Sequence, residues 1–425
     1  MDDTRIAEEV LAYLLAEGVE LTEDLTQVEQ TVLERMRQIG ARVVERHLAG
    51  RRLGYEGAHL PCHCGRTQRF VEYRPKTLAT LLGPLLIRRA YYRCGTCGAS
   101  SLPYEARVGL GAGPESVGLA KAVSLLGIQE PFAGGTRLLY ELTGQRLSAS
   151  TVERLTERVG AVAVSAEAQQ AERMETWDTP AAAAQPERLY VAVDGTMVHR
   201  EDGWREAKCV TCYWDEPEGT RQARYAVRFE EAATFVSFVW ALACRCGLET
   251  AQEVVLLGDG AHWIWDQVGG LLKEATMIVD WYHAVEHLWG CGRALFGEGT
   301  AATRAWVTQH KALLWAGDVP GLLRSLRGQH AQARAPTKRV ALQSLITYLE
   351  NQGARLAYDR FRARGLDIGS GRVEAACKHV VQVRMKRNGM RWSPAGAQAT
   401  LSLRAIWLNG QWEAFWTQRP LARAA

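Results

Sequence analysis

The sequence predicts an α/β fold for its second half, and three stretches carry that prediction. Leu189–Thr196 (LYVAVDGT) and Val254–His262 (VVLLGDGAH) are apolar runs of strand length, and in each an aspartate is followed by glycine. Ile368–His379 (IGSGRVEAACKH) has the pattern of a helix start, with Glu374 in its first turn. Because strands and helices that alternate along a chain are typical of α/β domains, we expect one here.

Length and composition set the broad class. A chain of 425 residues is expected to form two to four domains, and 47% apolar with 23% charged residues indicates a globular protein. The net charge of +4 is too small to diagnose nucleic-acid binding by itself. The first residues, MDDTRIAEEV, lack the apolar core of a secretory signal, and no apolar run approaches membrane-spanning length. We therefore expect a cytoplasmic protein without a membrane partner.

The N-terminal segment, residues 1–58, is predicted to be helical. Apolar residues in Val28–Leu48 recur every three or four positions, which is the spacing of an amphipathic helix. Its apolar face is expected to pack either on its own domain or on another subunit.

Residues 59–108 are predicted to form a zinc ribbon. Two close pairs of cysteines, each followed by glycine, flank two β-like stretches, and this arrangement closes a tetrahedral zinc site. The proposed ligands of one structural Zn²⁺ are Cys62, Cys64, Cys94 and Cys97. Since the first pair is C-x-C rather than the usual C-x-x-C, a ligand set that includes His63 or His59 stays open. Arg88 and Arg89 make the hairpin basic, which suits either phosphate binding or a solvated face.

Residues 109–175 are predicted to form a helical, helix-turn-helix-like DNA-binding domain. Leu138–Gln145 (LLYELTGQ) places a glycine turn before a second helix, whose N-cap is Ser148 or Ser150. In such a reader, small polar residues approach base edges and arginines meet phosphates. The residues expected to contact DNA here are Ser150, Thr151 and Arg154, and plain helical hairpins share the same pattern.

After a linker at 176–187, the predicted catalytic domain occupies 188–283 and 368–425, with a helical insertion at 284–367. Its five predicted strands are Leu189–Asp194, Lys208–Trp214, Arg224–Phe229, Val254–Leu257 and Thr276–Asp280. Helices are expected at Thr234–Cys246 and Trp263–Leu272. Three strands in a meander, followed by alternating helix and strand, is the order of an RNase H-like domain. The predicted fold is therefore an α/β RNase H-like catalytic domain with an all-α insertion, preceded by the zinc ribbon and the helical DNA-binding segments.

Three carboxylates are predicted to hold two divalent cations, Mg²⁺ or Mn²⁺. Phosphodiester transfer needs an activated oxygen nucleophile and relief of charge on the phosphoryl oxygens, and a pair of metal ions about 3.5–4 Å apart supplies both. Asp194 is expected to bridge the metals, with Asp259 and Glu374 each completing one side. The alternative is that these residues are turn or capping acids, since Asp-Gly is a common turn dipeptide. Asp280 and Asp367 are the other candidate acids.

Several further residues are predicted to support the site or contact DNA. His283 follows the fifth strand and either braces the metal site with Asp280 or packs in the core. The tryptophans Trp263, Trp281, Trp289 and Trp392 either stack on an unpaired base or pack in the core. A basic stretch with no offsetting acid is expected to track phosphates rather than to be a solvated charge run. The proposed DNA contacts of this region are Arg372, Lys378, Arg384, Lys386, Arg387, Arg391 and Trp392.

At these residues the sequence resembles the DDE transposases of bacterial insertion sequences, specifically the ISKra type related to the Mutator-like group. The matching stretches are VAVDGT, LGDGAHWIW, DWYHAVEHL and IGSGRVEAACKHVVQVRMKRNGMRW, with the C-x-C/C-x-x-C ribbon before them. The resemblance covers most of the chain from about residue 60 and implies Asp194, Asp259 and Glu374 as the catalytic triad. Asp280 and His283 match the D-x-x-H element of the Mutator-like group.

The resemblance also implies what the protein does. It implies binding to terminal inverted repeats, joining to target DNA, and action as a homodimer or higher oligomer in the bacterial cytoplasm at the nucleoid. Two rival hypotheses are a domesticated nuclease that cuts without joining, and a zinc-ribbon and helix-turn-helix DNA-binding protein that does no chemistry.

Overall fold

The structure is a computed structural model that describes residues 8, 12, 24–49, 51–111, 113–272, 274–369, 377–418 and 420–423. It divides into two compact units, one comprising Met1–Val162 with Trp412–Ala425 and the other Ala163–Gln411. The chain combines α-helices with two separate β-sheets, one in each unit. No helix in the described ranges combines the length and the apolar character that crossing a membrane requires.

The first unit contains a four-stranded antiparallel sheet preceded by a long helix. Helix α1 spans Leu25–Ala49, slightly longer than the predicted segment. The strands are β1 (His59–Pro61), β2 (Thr67–Thr80), β3 (Gly83–Cys94) and β4 (Ser100–Ser101), in the order β1-β2-β3-β4. One face of β2 and β3 is apolar, and it packs into a small core formed by Leu53, Leu78, Ile87 and Leu110.

Helices make up the rest of this unit. They are α2 (Pro103–Val108), α3 (Val117–Gln129), α4 (Phe132–Thr143) and the start of α5 (Ala149–Glu172), with α15 (Trp412–Thr417) and α16 (Pro420–Arg423). Gly144 ends α4 in the left-handed conformation, as a turn glycine does. The Ser148 hydroxyl accepts a 3.1 Å hydrogen bond from the Thr151 backbone N–H, so Ser148 rather than Ser150 caps α5.

The second unit is built on a five-stranded mixed sheet. Its strands are β5 (Arg188–Arg200), β6 (Gly203–Asp215), β7 (Arg221–Arg228), β8 (Glu253–Gly258) and β9 (Thr276–Val279). The order across the sheet is β7-β6-β5-β8-β9, so the first and fourth strands are neighbours. β5, β6 and β7 pair antiparallel, whereas β5, β8 and β9 run parallel. The central strands β5 and β8 are buried, as their continuous apolar runs predict.

Helices surround this sheet and fill the interval before residue 368. After β7 comes α6 (Ala232–Arg245), and after β8 a π-helical turn (Ile264–Val268) leads into α7 (Gly269–Leu271). A run of helices follows β9: α8 (Trp281–Phe296), α9 (Ala301–Trp315), α10 (Val319–Gln332), α11 (Pro336–Gln352) and α12 (Tyr358–Ala363). The described residues between 281 and 363 contain no strand, in agreement with the predicted helical segment.

The chain returns to the sheet after this helical segment. A second π-helical turn (Cys377–Gln382) continues into α13 (Val383–Met385), and α14 (Pro394–Leu408) packs against β7. The core of the unit is one continuous cluster that joins the central strands to the helical segment, and it includes Val191, Leu256, Ile278, Leu288 and Leu349.

Candidate functional site

Three aspartates lie side by side where the parallel pairing of β5, β8 and β9 ends. Strand β5 itself continues past Asp194 to Arg200, beyond the strand end that the sequence predicted. Val193 on β5 pairs with Gly258 on β8, and Gly258 pairs with Val279 on β9. The residues that follow these three positions are Asp194, Asp259 and Asp280. The Asp280 N–H donates a 2.8 Å hydrogen bond to the Gly258 carbonyl, which extends the ladder by one residue. Since neighbouring strands lie about 4.8 Å apart and residues in register face the same side, the three carboxylates share one edge of the sheet.

These aspartates line a cavity of about 180 Å³ together with three residues of α8, Tyr282, His283 and Glu286. Burial raises the pKa of Asp194 above its ordinary value, against hydrogen bonds from the Gly195 N–H and the Cys377 thiol, and the negative charge of Asp259 raises it further. Three acids in one half-enclosed space repel one another, which disfavours their ionised forms.

The loop after β8 holds Asp259 in a defined conformation. Asp259 Oδ1 accepts a 2.9 Å hydrogen bond from the Ala261 N–H. Gly260 follows with a φ of +103°, a conformation that side-chain-bearing residues rarely adopt. A Cβ at this position would also lie 3.0 Å from Nε2 of Gln352 and 3.1 Å from Cε2 of Tyr348. Both the backbone conformation and the lack of space for a Cβ therefore favour glycine at position 260.

Helix α11 of the helical segment braces that loop. The Gln352 amide donates a 2.9 Å hydrogen bond to the Gly260 carbonyl, and Gln352 is 3% exposed. Burial raises the pKa of the Tyr348 hydroxyl, and the charges of Asp259 and Asp280 raise it further. The helical segment thus contributes directly to the surroundings of the carboxylate cavity.

A column of rings connects α8 to α11. The ring of His287 stacks on Tyr348 at 3.8 Å and meets the ring of His283 edge-on at 5.1 Å. Burial lowers the pKa of His287, and the neighbouring His283 lowers it further. Asp280 caps α8 by accepting a 2.8 Å hydrogen bond from the His283 N–H. His283 is therefore held beside the aspartates.

Sequence reasoning did not identify Glu286 or Tyr348 as members of this region. Glu286 follows His283 by three residues on a helix, a spacing that places both on one face, and that signal was available. Tyr348 has no comparable signal, because its approach to the Asp259 loop depends on how α11 packs.

The remaining candidate acids differ in their placement. Asp367 does not line the cavity of the three aspartates, and its Oδ2 accepts a 2.7 Å hydrogen bond from Arg221 Nη1. Glu374, the proposed third catalytic acid, and Arg372, a proposed DNA contact, lie outside the described residues.

The four predicted cysteine ligands meet in the first unit. Their sulfur atoms all lie within 4.8 Å of one another, with Cys62 and Cys97 separated by 3.5 Å and Cys64 and Cys94 by 3.7 Å. A tetrahedral zinc ion with Zn–S bonds of about 2.3 Å requires sulfurs roughly 3.8 Å apart, so the spacing fits. Backbone N–H groups of Cys97 and Thr96 lower the pKa of Cys94 to about 6, which favours the thiolate that binds metal.

This four-cysteine group answers the ligand question that the C-x-C spacing left open. Four sulfurs complete a tetrahedral set, so neither His59 nor His63 is needed as a ligand. His63 is exposed, and its Nδ1 lies 3.9 Å from the sulfur of Cys62. The group is suited to a structural metal such as zinc, because four protein ligands leave no position for a substrate.

Three proposed DNA contacts have side chains that are largely shielded from solvent. Arg384 is fully buried, and its guanidinium lies 4.6 Å from the ring centroid of Trp392. Trp392 is itself 5% exposed and donates a hydrogen bond to the Met385 carbonyl. The side chain of Arg89 is 11% exposed and is bound by Glu105 and by the carbonyls of Arg74 and Pro75. These side chains stabilise the fold and are not available to phosphates.

The other proposed contacts are accessible to different degrees. Lys386 is exposed but directs its Nζ to the Thr196 hydroxyl at 2.6 Å, on the strand that carries Asp194. Arg387 and Thr151 are half-buried. The remaining described residues of the set are exposed: Arg88, Ser150, Arg154, Lys378 and Arg391.

Comparison with known proteins places the chain in a family. The model of a family described as an uncharacterised protein family (UPF0236) matches residues 14–418, which is nearly the whole chain. The chain therefore belongs to this family. A search of curated proteins finds no match.

Proposed function

We propose that this member of the family is a DDE transposase, an enzyme that binds the terminal inverted repeats of its element, cuts DNA and joins the 3′-OH ends to target DNA. The observation that carries the proposal is the alignment of Asp194 and Asp259 on adjacent parallel strands, in one cavity. The proposed fold of the second unit is RNase H-like, and the strand order β7-β6-β5-β8-β9 supports it. A double-stranded DNA partner and a homodimer or higher oligomer are part of the same proposal.

The position of the proposed third acid in the sequence supports this assignment. Glu374 precedes Cys377 by three residues, and the Cys377 thiol hydrogen-bonds Asp194. The helices between β9 and residue 368 occupy the place of the helical insertion that the resemblance implies. Asp280 joins the two strand-end aspartates as a neighbouring acid and positions His283 through its capping hydrogen bond.

The donor set of the cavity fits Mg²⁺ or Mn²⁺. Carboxylate oxygens are the ligands that these cations prefer, and Asp194, Asp259 and Glu374 would hold the pair of ions. Bound there, the cations supply an activated water and relieve charge on the phosphoryl oxygens. The chain itself orients Asp194 through the Gly195 N–H and Asp259 through the Ala261 N–H. Burial around Asp194 keeps bulk water from screening the acids.

The decisive experiment incubates the purified protein and Mg²⁺ with DNA from both sides of its own gene, where the element's ends are expected. Joined products support a transposase. Nicks without joining indicate a nuclease, and a gel shift alone indicates a DNA-binding protein without chemistry. All three hypotheses include the cysteine ligands and the basic residues. Only the DNA products differ between them, so the products distinguish the hypotheses.

A charge-removing variant tests the site assignment. Asp194→Asn keeps the size of the side chain but removes a metal ligand, so we expect cleavage to fall by about 1,000-fold or more while DNA binding stays within about twofold. The matched control is Asp266→Asn, because Asp266 is an exposed acid in the same unit. Cleavage by Asp194→Asn at the rate of the control would remove Asp194 from the catalytic centre.

A further inference from the structure

A second cavity opens beside the carboxylate site, and its lining is chemically different. It encloses about 930 Å³, within the roughly 300–1,000 Å³ of pockets that take small organic groups. Tyr282 lines both this cavity and the one that holds the three aspartates, so the two spaces adjoin. We call the larger one the aromatic cavity; its aromatic lining is Trp281, Tyr282 and Trp315.

One face of α9 forms a wall of the aromatic cavity. Thr308, Lys311, Ala312 and Trp315 recur at three- and four-residue spacing, so their side chains lie on the same side of the helix. Trp315 is 44% exposed, although a large apolar ring normally avoids water. It meets Trp281 edge-on at 5.0 Å, and the guanidinium of Arg362 lies 3.8 Å from its centroid. The wall therefore presents a braced aromatic surface to the solvent.

Gly369 lines the aromatic cavity and has no side chain, which leaves space for the ring of Tyr282. A Cβ at Gly369 would lie 2.8 Å from Cε2 of Tyr282, so the ring rests directly on this glycine. Tyr282 is 58% exposed and follows Trp281, whose N–H donates to the Ile368 carbonyl at 2.9 Å. The backbone thus fixes the start of α8 and aims a second accessible ring into the same space.

The polar groups of the aromatic cavity suit a nucleotide. Lys311 is exposed and lies 5.8 Å from the ring centroid of Trp281, in position to meet a phosphate. Arg221 donates to both Asp215 and Asp367, and it holds Asp367 at 2.7 Å in the lining of the cavity. The Asp367 carboxylate offers acceptor oxygens to a base edge. Aromatic faces bind any base by stacking, but a base inside a duplex is already stacked on its neighbours. The geometry therefore selects an unpaired base.

We infer that the aromatic cavity binds one unpaired nucleotide of the DNA strand that enters the carboxylate site, with its base against Trp315 and Tyr282 and its phosphate near Lys311. The ligand's identity as DNA rests on the proposed function. Exposed aromatic side chains flanked by a cation, in a cavity that shares Tyr282 with the acids, carry the inference.

The test measures binding by fluorescence anisotropy with short duplexes that are blunt, carry one unpaired thymine at the 3′ end, or carry an abasic residue there. The protein is expected to bind the thymine overhang about 10-fold more tightly than the abasic one, because stacking is lost with the base. In Trp315→Ala the two overhangs are expected to bind alike. The matched control is Trp177→Ala, which removes an exposed tryptophan outside the cavity and should retain the preference.

Cross-linking gives an independent readout. A 5-iodouracil at the overhang position is irradiated in the complex, and the modified peptide is identified by mass spectrometry. Attachment to the peptides that carry Tyr282 or Trp315 supports the inference, and attachment elsewhere overturns it. An overhang preference that survives in Trp315→Ala also overturns it.

The outcomes separate this inference from the proposed function. Neither measurement needs cleavage, and both can be made on Asp194→Asn. If the unsubstituted protein cuts no DNA but shows an overhang preference that depends on Trp315, the cavity is upheld and the transposase is rejected. Cleavage that depends on Asp194, without any overhang preference, would uphold the transposase and reject the cavity.

Discussion

The two candidate metal sites of this protein are built on opposite principles. The four-cysteine group draws its ligands from the β1–β2 turn and from the end of β3 with the turn that follows it, and its four sulfurs converge to within 4.8 Å of one another. The carboxylate cavity draws one acid from the middle of β5 and two from the residues that follow β8 and β9, and a helix that follows later in the chain braces it. One site is closed and local, whereas the other is open and assembled from distant segments.

The closed site is suited to stabilising the fold, and the open site is suited to binding a substrate. A metal with four protein ligands has no vacant position, so binding there contributes to folding. Acids that face a cavity leave space for a substrate, but they repel one another and need support from the surrounding structure. The following predictions test this contrast, from the largest expected effect to the smallest.

Removal of zinc should unfold the first unit and spare the second. A structural zinc contributes about 10 kcal/mol or more to the folding of small domains, so a zinc-selective chelator, with Mg²⁺ kept in excess, should make residues 59–108 sensitive to protease. Cys94→Ser should behave in the same way. Cys291→Ala, a buried thiol of the second unit, is the control. Purified protein with far less than one zinc per chain would contradict the assignment.

Loss of the charge at Asp280 should lower activity without unfolding α8. Asn is also a good N-cap, so Asp280→Asn keeps the hydrogen bond to the His283 N–H and removes only the negative charge. We expect DNA cleavage to fall by about 10- to 100-fold. Asp318→Asn makes the same exchange at the cap of α10, away from the cavity. Equal rates for the two variants would show that Asp280 is only a cap.

Removal of the brace on the Asp259 loop should weaken cation binding. Gln352→Ala leaves the Gly260 carbonyl without its donor, which should cost about 1–3 kcal/mol in the free energy of unfolding. Manganese affinity, measured by electron paramagnetic resonance, should fall in parallel. Gln343→Ala removes an exposed amide from the same helix and serves as the control. An unchanged affinity for Mn²⁺ would show that the loop holds its shape alone.

Mild acid should destabilise the helical segment through His310. This residue is 1% exposed, its Nδ1 lies 2.7 Å from the Trp306 carbonyl, and burial lowers its pKa. Because the unfolded chain binds the proton more readily, stability is present above pH 6.5 and is lost as the pH falls below it, by about 1 kcal/mol per pH unit. Thermal unfolding of the protein and of His310→Gln at pH 7.5 and 5.5 measures this. An equal loss in both proteins would assign the effect to other groups.

Many residues of the four-cysteine group and of the carboxylate cavity can be predicted from the sequence, and the physical reason differs between the two sites. The cysteine pairs are close in sequence, so spacing alone locates their site. Asp194 and Asp259 are located because buried strands give continuous apolar runs that end where the acids begin. The side-by-side placement of Asp280 depends on the register of β8 with β9, which a single strand does not encode.

The shielded positions of Arg384 and Trp392 have a physical cause as well. Arg384 was expected on DNA because the stretch around it is basic, and charge usually marks a solvated surface. Trp392 was expected either to stack on a base or to pack in the core. In the structure the guanidinium instead packs against the indole ring, and this pairing lets an arginine be buried. A run of basic residues indicates net charge but not which of its members face inward.

The hydrogen bond from Gln352 to Gly260 also bears on when the protein matures. The two residues are 92 positions apart, and the amide lies on the C-terminal side. While the chain is being synthesised, the strand ends leave the ribosome well before their brace does. A nascent polypeptide that has completed its sheet therefore still lacks the hydrogen bond that braces the Asp259 loop. The loop reaches its final conformation only after the later helices have been translated and have packed on the sheet.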